Sequence, residues 1–415
     1  MRLDNRWLVV GMLWLVCFLN YADRQVIFVV FPLLRSEFSL NNFYLGLLSA
    51  SFMVMYAATG PFAGWICDRV SRRSLIVGAL VLWSGTTALS SFAQSYWELL
   101  PGLAMAGLGE AFYFPAAMSL ISDYHPAGSR SRAMALHQSG IYVGSIAGGW
   151  LAGVLGQHTG WRGGFRFFGV LGIALGVVLY ALLREPGRGD SDPDAGPVRT
   201  DGALWPAFRE LAANRIARLL VSVFIGANFV AMVFTVWIPT YLFTRFHMSL
   251  SLAGLYGSAY MQVASILGVT VGGIAADASV HRHAGAGAAR MRVQALGLSL
   301  AVPFLFFSGW TERIPFVLAA IAGFGLGKGV YESSLWASLY DVVPIARRGA
   351  SVGLMNSLGW LGAGAAQLLV GIMSQRFSLG VCLSATGVIY LAIAITLLYG
   401  ARMAQRSGNS QISAT

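Results

Sequence analysis

The sequence predicts an all-α membrane protein, with twelve transmembrane helices in two six-helix, pseudo-symmetric bundles. Three observations lead there. The chain is 56% hydrophobic and only 11% charged over 415 residues, whereas a soluble domain carries about 25% charge. Apolar stretches of about 20 residues, the length that crosses a bilayer, recur twelve times. The second six stretches also repeat features of the first six at fixed spacing.

The stretches fall near 7–34, 43–66, 74–93, 97–122, 131–156, 161–183, 215–244, 250–276, 291–310, 313–340, 349–375 and 379–401. The first runs past Asp23 and Arg24 to Leu34 with no small-residue cleavage site, which predicts a permanent span and not a removed leader. The second ends in the charged group Asp68, Arg69, Arg72 and Arg73. The fifth carries Gly140, Gly144 and Gly148, then Gly149 and Gly153, small-residue stripes that suit close helix packing. Between the sixth and seventh lies a stretch rich in Pro, Gly and Asp, read as a linker. Its later part, 204–213, is expected to form a short amphipathic helix on the membrane surface. The expected organisation is a bundle over 1–183, a cytoplasmic linker over 184–214, a second bundle over 215–402 and a cytoplasmic tail over 403–415.

The distribution of charge sets the orientation. With both termini inside, 20 arginines fall in inner segments and six in outer loops, the bias expected of short cytoplasmic loops. The net charge of +11 is scattered between apolar runs as anchors, so nucleic acid is not an expected partner. Three cysteines without paired spacing point to neither a disulfide framework nor a metal site. His281 and His283 are a weak metal signal that a solvated turn explains better. No nucleophile–base set marks an enzyme, no polar ring marks a channel, and no phosphate loop marks a nucleotide-driven pump.

The repeat is regular. Gly64, Asp68 and Arg73 recur 209 residues on as Gly273, Asp277 and Arg282. Gly107, Gly109, Tyr113, Asp123, Pro126 and Arg130 recur 218 residues on as Gly325, Gly327, Tyr331, Asp341, Pro344 and Arg348. Transporters built from repeats place substrate between the copies near the bilayer midplane. Shared charges at the cytoplasmic helix ends (Asp68, Arg69, Arg72, Arg73, Asp123, Arg130, Asp277, Asp341 and Arg348) are candidates for a gating latch, pairing with one another or with helix dipoles. Plain topology signals are the alternative.

Charges present in one copy alone need another reason. Asp23 and Arg24 correspond to Ala231 and Met232, Glu110 to Lys328, and Phe114 to Glu332. A charged side chain at the centre of a membrane helix costs about 2.5–3.5 kcal/mol on insertion scales, so such groups mark function by default. Asp23 and Arg24 are adjacent and diverge by about 100° around a helix of 3.6 residues per turn, so at least one needs a partner on another helix. Lys328 and Glu332, four apart, can pair on one face, and an intrahelical ion pair that only lowers the burial cost is the alternative for them. Asp23 and Glu110 are the candidates for proton coupling. Arg24 and Lys328 are the candidates for an anionic substrate, Arg offering a bidentate fork to a carboxylate. Glu332, Tyr21, Tyr113, Gln138 and Asn356 complete the candidate substrate set.

Twelve spans in two halves, with Gly64, Asp68, Arg69, Arg72 and Arg73 after the second, resemble the major facilitator superfamily along essentially the whole chain. Two branches share its further motifs: Asn20 to Arg24 in the first span, Gly109–Glu110–Ala111 in the fourth, and then Phe114–Pro115–Ala116. One comprises the anion:cation symporters of sugar acids and similar carboxylates, the other the spinster-like transporters associated with lysolipids and sphingolipids. The resemblance implies proton coupling by Asp23 and Glu110 and, on the symporter side, a substrate carboxylate held by Arg24. Leu103 stands where the family often has an arginine. Ala147–Gly148–Gly149 replaces the Gly-Pro pair of many drug:proton antiporters. The run from Ser119 to Asp123 and Leu183–Pro186 lean to the spinster-like branch, and Trp237–Tyr241 to the anion symporters.

The expectation is therefore a secondary active transporter working by alternating access, a proton-coupled symporter of a small organic anion, with a spinster-like carrier of lysolipid or another amphiphile as the alternative. It is expected to be a monomer in the cell (inner) membrane, with both termini cytoplasmic, no metal, and no cofactor beyond the proton gradient.

Overall fold

The computed structural model describes residues 5–67, 69–187, 204–282, 286–344 and 347–412. Asp68, most of the linker and His283 lie outside the described residues. Inside a bilayer every backbone polar group must be satisfied within the segment, which an apolar run achieves only as helix. The described residues accordingly form fourteen helices and no strand. In the first half these are α1 (Asn5–Val29), α2 (Phe31–Phe38), α3 (Asn42–Cys67), α4 (Arg72–Ser90), α5 (Tyr96–Tyr124) and α6 (Ala127–Leu182). They continue with α7 (Leu204–Ala213), α8 (Arg215–Phe246), α9 (Leu250–Arg282), α10 (Ala286–Ser308), α11 (Ile314–Glu332), α12 (Leu335–Tyr340), α13 (Arg348–Met373) and α14 (Leu379–Ile412).

Ten of these are long and apolar enough to cross a membrane. One of the ten, α6, has 56 residues and is broken at Gly160, where φ is 71° and ψ is 177°. A helix rises about 1.5 Å per residue, so α6 is far too long for one crossing and supplies two, with the turn at a glycine because that φ strains any other residue. Helix α13, with six glycines among its 26 residues, is the remaining crossing, ample in length though less apolar. Twelve crossings result, as the sequence predicts.

Two compact units are present. The first comprises Met1–Arg199 with Leu242–Leu255, the second Thr200–Tyr241 with Tyr256–Thr415. Leu242–Leu255 falls in the first unit because α6 is bare there: a Cβ on Gly153 would meet Leu250 and Ser251, and one on Gly254 would meet the Gly149 carbonyl. The short helix expected over 204–213 is α7. It buries Ala207 and Leu211 and turns the stacked rings of Trp205 and Phe208 outward, while Glu210 accepts from Arg347 at 2.7 Å.

The repeat is visible in how helices touch. A Cβ on Gly107 would strike the Phe52 backbone, bringing α3 against α5; Gly325 stands in the same relation to Met261, bringing α9 against α11. Gly109 abuts Ala79 and Trp83 on α4, and Gly327 abuts Gly297 and Ala301 on α10. Each pair of positions differs by the same offsets found in the sequence. Within the first unit α1 is the interior helix, with 72% of its apolar window buried. It lies directly on Gly140, Gly144 and Gly148 of α6, which face the backbone of Trp14, Phe18 and Ala22.

Candidate functional site

Two buried helices carry the central charges of the first unit. Asp23 is 8% exposed and Glu110 is 2% exposed, so neither acid meets bulk water. The adjacent charges on α1 separate as helix geometry requires. Arg24 Nε donates to Glu110 Oε2 on α5, whereas the Asp23 carboxylate accepts from the Thr87 hydroxyl of α4 at 2.9 Å. Three aromatic rings surround the Arg24 guanidinium, with centroids at 4.7 Å (Tyr21), 5.3 Å (Phe52) and 5.1 Å (Tyr56). Their negative faces stabilise a cation held away from water. Asp23, Arg24, Glu110 and Thr87 line one small cavity, otherwise walled by Phe28, Leu103 and other apolar groups. Two carboxylates and one guanidinium thus meet in a single buried pocket, with Glu110 on the cation and Asp23 on a hydroxyl.

The other candidates divide. Tyr21 joins the site through the Arg24 contact. Tyr113, 2% exposed, donates to the Leu13 carbonyl at 2.6 Å and lies 2.7 Å from His137 Nε2, tying α5 to α1 and α6 away from the cavity. Gln138 lies on an exposed face of α6 and Asn356 is half-buried on α13; neither lines the cavity. In the second unit Lys328 donates to Glu332 at 2.7 Å, and both line a separate cavity with Asn228, Tyr331 and Tyr390.

The charges at the helix ends pair within their own units. Arg72, with 3% of its side chain exposed, binds Asp123 and reaches Glu185 at 3.2 Å. Arg290 donates to Asp341 at 2.5 Å. Arg72 and Arg290 are 218 residues apart, as are Asp123 and Asp341, so one ion pair is built twice. Arg73 and Arg282 share the 209-residue offset, whereas the ion pair follows the 218-residue one. Glu185, not a sequence candidate, accepts from the backbone N–H of Arg72 at 2.8 Å and of Arg73 at 3.4 Å and from the Ser71 hydroxyl, capping α4. Burial pushes the Glu185 carboxyl up, but these hydrogen bonds outweigh it and hold the group below its ordinary value.

The remaining candidate arginines bond backbone carbonyls: Arg69 to Trp65 at 3.0 Å, Arg130 to His125 at 3.1 Å and Arg348 to Tyr340 at 3.0 Å, each within eight residues, and Arg73 to Tyr180 on α6. Asp277 is exposed on α9. Among the described residues no group of three metal-ligating side chains converges.

Comparison with known proteins follows the same outline. The family model described as Major Facilitator Superfamily matches residues 13–367. Over 387 residues the chain is 25% identical to a probable galactarate/D-glucarate transporter of Escherichia coli, covering 86% of this chain and 84% of that one. It is 29% identical over 390 residues to protein spinster homolog 1 of Homo sapiens, covering 89% and 73%. A crystal structure of a bacterial homolog of the human lysosomal transporter spinster, inward-facing and unoccupied, shares the fold with a TM-score of 0.80 at 22% identity, covering 100% of this chain and 98% of that chain.

Proposed function

The chain belongs to the Major Facilitator Superfamily, and on that premise we propose that it is a secondary active transporter coupling proton entry to symport of a small organic anion of the sugar-acid class. The observation that carries this reading is the buried Arg24–Glu110 pair beside Asp23. With Glu110 ionised, its carboxylate occupies Arg24. A proton on Glu110 removes that competitor, and a substrate carboxylate takes the guanidinium, which favours bidentate carboxylate geometry. Anion and proton then load together, and neither is stable in the pocket alone. Asp23, held by Thr87, is the second protonation site. The similarity to a probable galactarate/D-glucarate transporter supports the substrate class.

In this reading the proton gradient is the energy source, and no catalytic residue or cofactor takes part. The bundles over 1–183 and 215–402 form a monomer in the inner membrane with both termini cytoplasmic. The Arg72 and Arg290 ion pairs serve the cytoplasmic gate in this reading. Transport of a lysolipid or another amphiphile is the second reading, favoured by the 29% identity to human spinster homolog 1.

The test is uptake by the purified full-length protein in proteoliposomes under an inward proton gradient, with D-glucarate and a lysophospholipid offered separately. Accumulation of glucarate that a protonophore abolishes is expected. Asp23→Asn should exchange glucarate across the membrane but no longer accumulate it. Wild-type accumulation by that variant would remove Asp23 from coupling, and lysophospholipid transport without glucarate transport would overturn the anion reading.

A further inference from the structure

The cavity beside Asp23 runs toward one end of the first unit only. Its outer walls are Phe28 at the end of α1, Thr87 and Ser90 at the end of α4, Gly102 and Ala106 in the first turns of α5, and Phe165 just past the break in α6. These helix ends lie opposite the Arg72–Asp123 ion pair, which joins the start of α4 to the end of α5. With the termini cytoplasmic, as proposed above, the cavity leads from the acid toward the outer face. Of these six residues all are buried except Gly102, which is half-buried. Glycine keeps the mouth open there, because a Cβ would run into the Ser90 hydroxyl. The volume is about 30 Å³, room for a few water molecules and far too little for a six-carbon acid.

The repeat supplies a control. The second copy has Ala231 at the place of Asp23, and without the acid it fills the same space. At the 218-residue offset Thr87 becomes Leu305, Gly102 becomes Ala320 and Ala106 becomes Phe324, all buried. The Phe324 ring packs on Phe234 at 4.5 Å and on Tyr390 at 5.7 Å between centroids. Ser90 recurs as Ser308, and each bonds a carbonyl of its own helix, so the serine belongs to the shared fold. What the first copy alone combines is an acid, a hydroxyl on that acid, and small residues where the other copy packs a ring. Unfilled space in a core costs stability, and the polar wall here suits it to water.

We infer that this chamber is the outer proton entrance to Asp23, a water-conducting branch inside the first unit that the substrate does not share. A hydronium ion reaching the chamber gives a proton to the Thr87 oxygen while Thr87 passes its own hydroxyl proton to Asp23 Oδ2, 2.9 Å away. Thr87 is regenerated, the hydronium becomes water, and the carboxylate becomes the acid. Gly102 and Ala106 are positioning residues that keep the branch wide enough for water. The inference rests on the proton-coupled reading above and adds the route by which the proton arrives.

The experiment uses the full chain in right-side-out membrane vesicles and takes two readings. One is D-glucarate accumulation under an inward proton gradient. The other is exchange of external labelled for internal unlabelled glucarate at equal pH, which turns substrate over without discharging the proton. Ala106→Phe, which copies Phe324, should slow accumulation by about tenfold or more, as should Thr87→Val, which keeps the shape and removes the hydroxyl. Both should exchange near the wild-type rate, and Thr87→Ser should restore accumulation. A branch closed only after folding separates access from packing. Gly102→Cys, treated in intact vesicles with a small membrane-impermeant methanethiosulfonate, should lose accumulation on labelling and keep exchange; Cys17, Cys67 and Cys382 are buried. Equal loss of accumulation and exchange, wild-type accumulation in Ala106→Phe or after complete labelling, or failure of the Gly102→Cys thiol to react from the outer face would overturn the inference and leave proton symport standing. Absence of gradient-driven accumulation by wild type would overturn the symport reading and this inference together.

Discussion

Glu110→Gln is the substitution that separates competition for Arg24 from simple packing. The amide has nearly the shape of the carboxylate and still accepts a hydrogen bond, but it carries no charge. In the wild-type protein a substrate anion must displace Glu110, whose charge-assisted bond to Arg24 is worth about 1.5–3 kcal/mol. With side chains only 8% and 2% exposed, the pair is shielded from solvent screening and belongs in the upper part of that range. The glutamine bond that remains is worth about 0.5–1.5 kcal/mol. Against a mid-range amide bond of about 1 kcal/mol the difference is about 1.5–2 kcal/mol, which predicts glucarate binding some 10–30 times tighter in the variant where wild-type Glu110 is ionised.

The assay is calorimetric titration of glucarate into detergent-solubilised protein over a series from mildly acidic to mildly alkaline. Wild-type affinity should fall as pH rises, because ionised Glu110 competes with the anion. The variant should bind with little pH dependence and exceed wild type at the alkaline end, while losing proton-driven accumulation in vesicles. A Gln variant that retains the wild-type pH slope, or loses affinity as severely as Arg24→Ala, would refute competition as the coupling device.

The duplicated ion pair predicts unequal consequences in the two units. Arg72→Ala removes the cation from Asp123 and should lower stability by about 1.5–3 kcal/mol, whereas Arg290→Ala, at a site with 22% of the side chain exposed, should cost about 0–1 kcal/mol; thermal unfolding in detergent compares them. Gly148→Val should disrupt the α1–α6 contact by about 1–3 kcal/mol or more, because even a Cβ there meets Ala22. Gly78→Ala, where nothing lies within 4 Å, is the matched control in a size-exclusion assay of folded yield. Glu185 titrates below its ordinary value, so its cap on α4 is intact above the usual carboxylate range and is lost as pH falls through the depressed value. Protection from hydrogen exchange at the amides of Arg72 and Arg73, taken relative to the intrinsic rate at each pH, should therefore fall in acid by up to about tenfold for one lost bond, and wild-type protection in Glu185→Ala would contradict the cap.

The features legible in the sequence were those set by local spacing. Apolar run length gave twelve crossings, the 204–213 pattern gave α7, and four-residue separation placed Lys328 against Glu332. Adjacency of Asp23 and Arg24 required a partner on another helix. It did not say which one, because Glu110 is 86 residues away and only the crossing of α1 and α5 brings it within reach. Thr87, Phe52 and Tyr56 were missed for the same reason: a hydroxyl and two rings in apolar spans look like ordinary helix until their neighbours are known. The 218-residue offset, applied to every charged position, relates Arg72–Asp123 to Arg290–Asp341.

The seam between α1 and α6 has a mechanical consequence. Three glycines leave the two backbones touching with no side chain between them, and Ala22, at the last of these contacts, immediately precedes Asp23. Side-chain packing elsewhere can yield by rotamer changes, but bare backbone against backbone has no such slack. The acid and its neighbouring cation are thus mounted on a stiff two-helix beam, and any force from a change of partner at Arg24 is delivered to α6 undamped.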